Sequence, residues 1–348
     1  MNEKGYFPPL TPQSGGVKEL MLIYTNSGTK WEVKDALPYA TYLQLKDGQP
    51  VIKDWFFDAY LFLALLSNNK RAFDSPLRAT PAVKEDWQWY LEDLFLTNKQ
   101  IHAFDQAYEL AAESLGERKK GKIYIMIPNP MAEIKEFGVI DGENLDFSSK
   151  DPKEATRQRF KAVKWFVERT VELFKNANLQ NLELVGFYWL EEMIHFDVAG
   201  ETDLVVEVAD YLHDLGFKFC WIPWFRAAGH DIWDKVGFDF CIHQPNYMFN
   251  DSVPIERFVD VTNDAKQYRQ GIEIEADGRV LKSKEARERF RDYLRAGVTY
   301  GYMKDAIHGY YQDTKVFSLA AYSNENDVRQ VYDDVYQFVK GLWNEALK

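Results

Sequence analysis

The segment LELVGFYWLEE at residues 182–192 predicts a buried β-strand that runs directly into two glutamates. Residues 203–215 follow with apolar side chains at helical spacing, and Gly216 supplies a helix stop signal. The segment KFCWIPW at residues 218–224 then predicts the next strand. A strand, a helix and a strand in this order form the unit from which parallel sheets are built, so this part of the chain predicts an α/β fold.

The same alternation of short apolar runs and longer amphipathic stretches continues over the whole chain, with no hairpin signal between the runs. We predict eight strands, at residues 19–26, 55–63, 122–130, 182–190, 218–224, 238–244, 271–275 and 306–311. We predict helices at residues 31–43, 81–115 (two segments), 152–178, 203–215, 231–236, 255–270, 282–296 and 325–342. Eight strand–helix units favour a single-domain (β/α)8 TIM barrel. The alternative, an open doubly wound sheet, is disfavoured because no glycine-rich nucleotide-binding turn follows the first strand.

Composition and charge limit the classes of function. The chain has 348 residues, 46% of them hydrophobic, and 42 Lys plus Arg against 54 Asp plus Glu, a net charge of −12. This acidic balance, without a basic stripe, predicts no nucleic-acid partner. The apolar run 55–66 is too short to span a membrane and contains Asp58. Residues 1–17 are expected to form a flexible Pro/Gly-rich leader before a barrel domain at 18–348, and the polar segment 136–153 a long βα loop.

The sequence gives no sign of a metal site, a cofactor or a disulfide framework. Cys220 and Cys241 both lie in apolar runs and are expected to be buried free thiols. The six histidines are scattered, without ligand-like spacing. No secretory signal is recognisable, which leaves a cytoplasmic protein and an exported domain both open.

Acidic side chains mark the ends of two predicted strands. Barrel enzymes place catalytic groups at the carboxyl ends of their strands, which here selects Glu191 and Glu192 after strand four and Glu273 and Glu275 on strand seven. The period of two puts Glu273 and Glu275 on one face. The alternatives are that the strand-seven isoleucines face inward instead, or that residues 191 and 192 form a solvated helix N-terminus.

Two carboxyl groups facing each other across a barrel mouth are what glycosidic cleavage requires, one protonated and the other ionised. We select Glu192 as the acid and Glu275 as the nucleophile or water-activating base, with Glu191 and Glu273 in reserve. No cofactor is expected for this chemistry.

The aromatic content suits a carbohydrate ligand. The chain has 10 Trp, 20 Tyr and 24 Phe, and aromatic rings with polar handles can stack on sugar faces while binding hydroxyl groups. The candidate substrate-binding residues lie in or beside predicted strands: Asp58, Asn129, Tyr188, Trp189, Trp221, Trp224, His243, Gln244, Asn246, Tyr247, Tyr310 and Tyr311. Any single aromatic residue could be barrel packing instead. His243 could be a buried core histidine, and Asp58 could pair with a buried Lys or Arg.

Five segments carry a family resemblance: GFYWLEE (186–192), WIPWF (221–225), IHQPNY (242–247), GIEIEAD (271–277) and GYMKDAIHGYYQD (301–313). They are similar to an uncharacterised bacterial family of glycosidase-like (β/α)8 barrels over residues 19–345, and more broadly to the clan A retaining glycoside hydrolases. That resemblance implies a strand-four Glu as acid/base and a strand-seven Glu as nucleophile. Clan A normally has Asn directly before the acid/base, whereas this chain has Leu190 or Glu191 there, so inversion stays open.

The hypothesis from the sequence is therefore a glycoside hydrolase that acts on an oligo- or polysaccharide. The alternatives are a non-catalytic glycan-binding barrel and a barrel lyase or metal-assisted hydrolase. In the last case Glu273, Glu275, Asp277 and His243 would surround a cation. Oligomeric state and sugar identity have no signal in the sequence.

Overall fold

The computed structural model describes residues 4–348. Its strands are β1 (Glu19–Tyr24), β2 (Thr41–Lys46), β3 (Gln49–Trp55), β4 (Ala59–Leu63), β5 (Gly121–Ile127), β6 (Gly138–Ile140), β7 (Glu143–Leu145), β8 (Leu182–Trp189), β9 (Lys218–Trp221), β10 (Phe240–His243), β11 (Gly271–Glu275) and β12 (His308–Tyr311). Its α-helices are α1 (Val33–Ala40), α2 (Lys84–Leu94), α3 (Gln100–Leu115), α4 (Pro152–Asn176), α5 (Glu201–Asp214), α6 (Arg257–Tyr268), α7 (Lys284–Tyr300), α8 (Tyr302–Asp305), α9 (Val316–Ala321) and α10 (Asn326–Val339).

Eight parallel strands close into a barrel in the order β1-β4-β5-β8-β9-β10-β11-β12, with β12 pairing back to β1. The prediction of a single-domain (β/α)8 TIM barrel is confirmed. The barrel strands β1, β4 and β11 are buried at every position, as expected where helices cover the outer face and side chains fill the interior. All carboxyl ends of the strands therefore meet at one mouth.

Local signals account for several helix boundaries. The Asp151 side chain caps the start of α4 by accepting from the Lys153 N–H, and proline follows at the first helical position. The Ser283 side chain caps α7 in the same manner, and Gly301 ends that helix with a φ of 90°. The two helices are the one that precedes β8, the strand before Glu192, and the one that follows β11, the strand that ends at Glu275.

Two hairpins interrupt the strand–helix alternation, where the sequence analysis expected none. The antiparallel pair β2–β3 occupies part of the predicted helix 31–43 and of the predicted strand 55–63, and its turn is Asp47-Gly48. The antiparallel pair β6–β7 lies within the expected loop 136–153, and its turn is Asp141-Gly142. All four turn residues have positive φ values, which Asp and Gly tolerate in tight hairpin turns. The predicted helix at 231–236 is a series of turns.

Residues 4–17, for which composition favoured a flexible leader, pack across the amino-terminal end of the barrel. We call residues 4–17 the N-terminal segment; residues 1–3 of the expected leader lie outside the described residues. The Phe7 N–H donates to the Gln270 carbonyl at 3.0 Å, and the Phe7 carbonyl accepts from the Ile307 N–H at 2.9 Å. The Tyr124 hydroxyl, from inside the barrel, donates to the Ser14 carbonyl at 3.0 Å. The N-terminal segment thus covers the floor of the barrel.

Cys220 and Cys241 are buried free thiols, as predicted. Within residues 4–348, every helix is too short or too polar to cross a bilayer.

Candidate active site

A cavity of about 650 Å³ opens at the carboxyl ends of the barrel strands. Of the residues selected from the sequence, those that line it are Tyr188, Glu191, Glu192, Trp224, Gln244, Asn246, Glu273 and Tyr311. Strands four and seven of the barrel, β8 and β11, thus supply carboxyl groups to one space. This volume lies in the range of ordinary ligand pockets.

Glu192 is half-buried in the cavity wall just after β8. Burial raises the pKa of its carboxyl group to about 7, because the ionised form loses its hydration and the cavity wall does not replace it with equivalent interactions. The nearby carboxylates of Glu191, Asp74 and Glu275 raise the pKa further, while Gln244 opposes the rise. Glu192 therefore titrates near neutral pH, as a general acid or base requires.

Glu273 points into the barrel from β11, and only 2% of its surface is exposed. Burial raises the pKa of Glu273 well above its usual range, and the carboxylates of Glu275 and Glu192 add to the rise. Ile272 and Ile274, which alternate with the glutamates, are fully buried on the other face. The alternation inferred from the sequence places Glu273 at the cavity.

Glu275, our first choice from the sequence, is not part of the cavity lining. Its side chain is 0% exposed and is bound by the loop after β10. One carboxylate oxygen accepts from the Asn246 N–H at 2.8 Å, and the other accepts from the Tyr293 hydroxyl. Asn246 has a φ of 49°, a left-handed conformation that Asn tolerates. The strand-seven carboxyl group that reaches the cavity is that of Glu273.

Glu191 is fixed in a hydrogen-bonded network. It accepts from Asn129 Nδ2 at 2.7 Å, and His195 Nε2 lies 3.5 Å from its other oxygen. Its backbone carbonyl accepts from Trp221 Nε1 at 2.7 Å. The hydrogen bond with Glu191 raises the pKa of His195. These partners leave Glu192 as the more accessible of the two adjacent glutamates.

Three aromatic candidates point away from the cavity. Trp189 packs on Phe219, and Trp221 stacks on Phe238 at 5.1 Å, both on the helix-facing side of the barrel. The Tyr310 hydroxyl donates to Glu19 at 2.6 Å, near the amino-terminal end. In each case a neighbouring position of the same strand faces inward. Because successive side chains of a strand point to opposite faces, the aromatic side chain points outward.

Three further candidates have structural roles. Asp58 precedes β4 at the amino-terminal end of the barrel, where it accepts from the Glu19 N–H at 2.8 Å and from Lys122 Nζ at 3.1 Å. His243 is fully buried against Gln270, and burial lowers its pKa to about 4. Tyr247 donates to Asp292 at 3.1 Å outside the cavity. Of the alternatives from the sequence, the structure therefore favours the ion-pair partner for Asp58 and the core histidine for His243.

The loop after β4 contributes a wall that the sequence analysis missed. Asp74, Ser75, Leu77 and Arg78 line the cavity, and the Arg78 guanidinium donates to both Asp74 oxygens, at 2.9 and 2.7 Å. A Ser-Pro dipeptide such as Ser75-Pro76 is a general loop signal, but nothing in its composition indicates that the loop lies at the barrel mouth. Among the other lining residues that the sequence analysis missed are Tyr24, His195 and Phe249.

The rim of the cavity is hydrophobic and exposed. Leu77 is 97% exposed, Trp224 46% and Phe249 44%. Large apolar side chains are rarely exposed together around one concave site unless they contact a ligand. Within residues 4–348, no group of three or more His, Cys, Asp and Glu side chains is arranged to hold a metal ion.

These features define a (β/α)8 barrel with a carboxyl-rich, aromatic-rimmed pocket at its mouth. The chain belongs to the family described as "Domain of unknown function (DUF4855)", which matches residues 19–337. No curated protein matches it in sequence.

The chain is similar to three solved structures at low identity. A GH18 chitinase from Pseudoalteromonas aurantia is 10% identical, with a TM-score of 0.42, over 90% of this chain and 99% of that one. A maltogenic α-amylase from Thermotoga neapolitana is 8% identical, with a TM-score of 0.44, over 93% and 76%. A tryptophan synthase from M. tuberculosis is 10% identical, with a TM-score of 0.40, over 95% and 98%.

Proposed function

We propose that this protein is a glycoside hydrolase that cleaves a glycosidic bond of an oligo- or polysaccharide with Glu192 and Glu273 as its carboxyl pair. The observation that carries the proposal is that these two groups, from β8 and β11, line one cavity in which burial raises both pKa values. Such a cavity can hold one protonated and one ionised carboxyl group at neutral pH.

The chemistry needs both forms. The protonated carboxyl group gives its proton to the glycosidic oxygen as the bond from that oxygen to the anomeric carbon breaks. The ionised group either bonds to the anomeric carbon, forming an ester that water hydrolyses, or takes a proton from the water that attacks it. The first route retains the anomeric configuration and the second inverts it.

The cavity wall favours uncharged or basic sugars. Its two cationic side chains, Arg78 and His195, already face Asp74 and Glu191. A uronate or sulfate group would find no unpaired cation among the described lining residues and would meet Glu192. Trp224 and Phe249 at the rim suit the C–H faces of neutral rings. We therefore expect anionic polymers to be neither bound nor cleaved.

The test is turnover by the full chain on a panel of neutral, amino and anionic oligosaccharides. Glu192→Gln and Glu273→Gln should each lower kcat/KM by about 10²–10⁴-fold or more, with unchanged circular dichroism. Glu183→Gln is the matched control, because Glu183 is exposed at the opposite end of the same strand as Glu192.

Other outcomes would point elsewhere. Full activity in Glu273→Gln would refute the proposed pair. Measurable affinity for sugars without turnover would favour the non-catalytic glycan-binding barrel. Where turnover is found, the anomer released first, read by proton NMR, distinguishes retention from inversion.

A further inference from the structure

Glu275 is a fully buried carboxyl group that the proposed reaction does not use. The Asn246 N–H donates to it at 2.8 Å, and the Tyr293 hydroxyl donates as well. The Met248 N–H is shared between the Tyr293 oxygen at 2.8 Å and Glu275 at 3.5 Å. Hydrogen bonds donated to a carboxylate favour its ionised form. Burial raises the pKa of Glu275 to about 7, and the hydrogen bonds that it accepts oppose that rise. Burial and the neighbouring carboxylates raise the pKa of Glu273 well above its usual range, so Glu275 is the first of the two to ionise.

Tyr293, on α7, can only donate to this carboxylate. A hydroxyl group has one proton and two lone pairs. The Tyr293 oxygen accepts from the Tyr247 N–H at 3.1 Å and from the Met248 N–H at 2.8 Å. Both lone pairs are therefore occupied, and the remaining proton points to Glu275. This geometry disfavours a protonated Glu275 on the oxygen that Tyr293 contacts.

Charged and titratable side chains from several neighbouring strands and helices surround Glu275 and Glu273. Arg257 on α6 is the cation whose charge interacts with Glu275, and its guanidinium also donates to the Pro245 carbonyl at 2.7 Å. Glu273 faces Glu275 on its own strand and Glu192 beyond β8. The phenols that face Glu273 are Tyr24 on β1, Tyr188 on β8 and Tyr311 on β12. Glu275 thus has donors and a cation nearby, whereas Glu273 has carboxylates.

We propose that Glu275 is a positioning residue that carries the negative charge of the strand-seven pair, so that the neighbouring Glu273 keeps its proton. Glu273 is then the proton donor, and Glu192 is the carboxylate that attacks the anomeric carbon or activates water. The inference rests on the proposed function. It reverses the order that the resemblance to clan A implies, in which the strand-four Glu donates the proton.

The reaction balances with these roles. The Glu273 proton passes to the glycosidic oxygen, and the electrons of the broken bond stay on that oxygen, which leaves as an alcohol. Glu192 or a water deprotonated by it supplies the new bond to the anomeric carbon. In the retaining case, ionised Glu273 later takes the proton of the water that hydrolyses the ester.

The first experiment is a carbon-13 NMR titration of the full chain labelled at the glutamate carboxyl carbons, with Glu273→Gln used to assign the Glu273 signal. In Glu275→Gln, we expect the Glu273 carboxyl to titrate at least about one pH unit lower, because a like charge has gone. Tyr293→Phe should lower it by less, since Glu275 then ionises less readily. Glu183→Gln should leave it unchanged. An unshifted Glu273 titration in both Glu275→Gln and Tyr293→Phe would overturn the proposal, whether or not any substrate is known.

The second experiment assigns the donor. With an aryl glycoside that has an activated leaving group, Glu273→Gln should keep most of its kcat/KM, which reports the step that breaks the glycosidic bond, because that leaving group needs no proton. Glu192→Gln should stay inactive. The opposite pattern would make Glu192 the donor and refute the assignment. Absence of turnover in the unaltered protein on every glycoside would count against the proposed function alone, because the titration still tests the role of Glu275.

Discussion

Glu192 lowers the stability of the fold whenever it is ionised, and its removal should therefore stabilise the protein at alkaline pH. Burial raises its pKa from the usual 4.5 to about 7. In the unfolded chain the group loses its proton near pH 4.5, while in the folded chain it keeps the proton until about pH 7. The contribution of Glu192 to the free energy of unfolding is therefore greatest below pH 4.5. It falls progressively as the pH rises to 7 and stays at its lowest value above that pH.

The change in the free energy of unfolding is set by how far the pKa of Glu192 is raised in the folded protein. Each pH unit corresponds to about 1.4 kcal/mol, so the ionised site costs about 3 kcal/mol in total. Between pH 5 and pH 8.5 the change is about 2.5 kcal/mol, because part of it has already occurred by pH 5. Glu192→Gln, which cannot ionise, should gain about this much relative to the unaltered chain over that interval.

Urea unfolding at pH 5 and pH 8.5 measures the effect. Relative to the unaltered chain, the free energy of unfolding of Glu192→Gln should be about 2.5 kcal/mol higher at pH 8.5 than at pH 5. Glu183→Gln, at the exposed end of the same strand, should show no such change. A difference that is constant between the two pH values would refute the reasoning, because it would mean that Glu192 titrates normally in the folded protein.

Three other changes test the fold and the site. Arg159→Met should lower the free energy of unfolding by about 3–5 kcal/mol in urea, because it leaves buried Glu201 without its cation; the double variant with Glu201→Met should recover most of the loss. Trp224→Ala should weaken binding of a neutral oligosaccharide by about tenfold in calorimetry, equivalent to about 1.4 kcal/mol, without unfolding the chain; unchanged affinity would remove Trp224 from the binding surface. Gly186→Ala should destabilise the barrel by at least about 2–3 kcal/mol, because a Cβ there would lie 2.2 Å from a backbone carbonyl of β9. Gly309→Ala, whose Cβ would meet only side chains, Ile242 at 3.2 Å and Glu273 at 3.7 Å, is the control and should lower the melting temperature less.

The barrel could be predicted because its units repeat and because most of its strands have a continuous apolar run. β11 was predicted with the boundaries that the structure has, Gly271–Glu275. The hairpins were missed although Asp47-Gly48 and Asp141-Gly142 are sequence signals for tight turns. The predicted helix at 31–43 includes the start of β2, because periodicity in short segments does not separate helix from strand.

The site was predictable to the level of strand ends but not of individual side chains. Tyr188 and Trp189 are consecutive on one strand, so only one of them can face the cavity, and the period of two could have removed Trp189 from the list. The exclusion of Glu275 from the cavity had no such signal. It depends on Tyr293, which reaches Glu275 from a different element, and such contacts arise only when α7 packs on the barrel.

The floor of the barrel has a consequence for how the chain is made. The N-terminal segment finds its hydrogen-bonding partners at Gln270 and Ile307, and Ile307 is 300 residues beyond Phe7. At a synthesis rate of roughly 5–20 residues per second, Phe7 waits about 15–60 s on the ribosome before these partners exist. During that time β1 also lacks β12, the strand with which it pairs to close the barrel. The N-terminal segment is therefore made before every strand of the barrel but is among the last parts of the barrel to reach its final place.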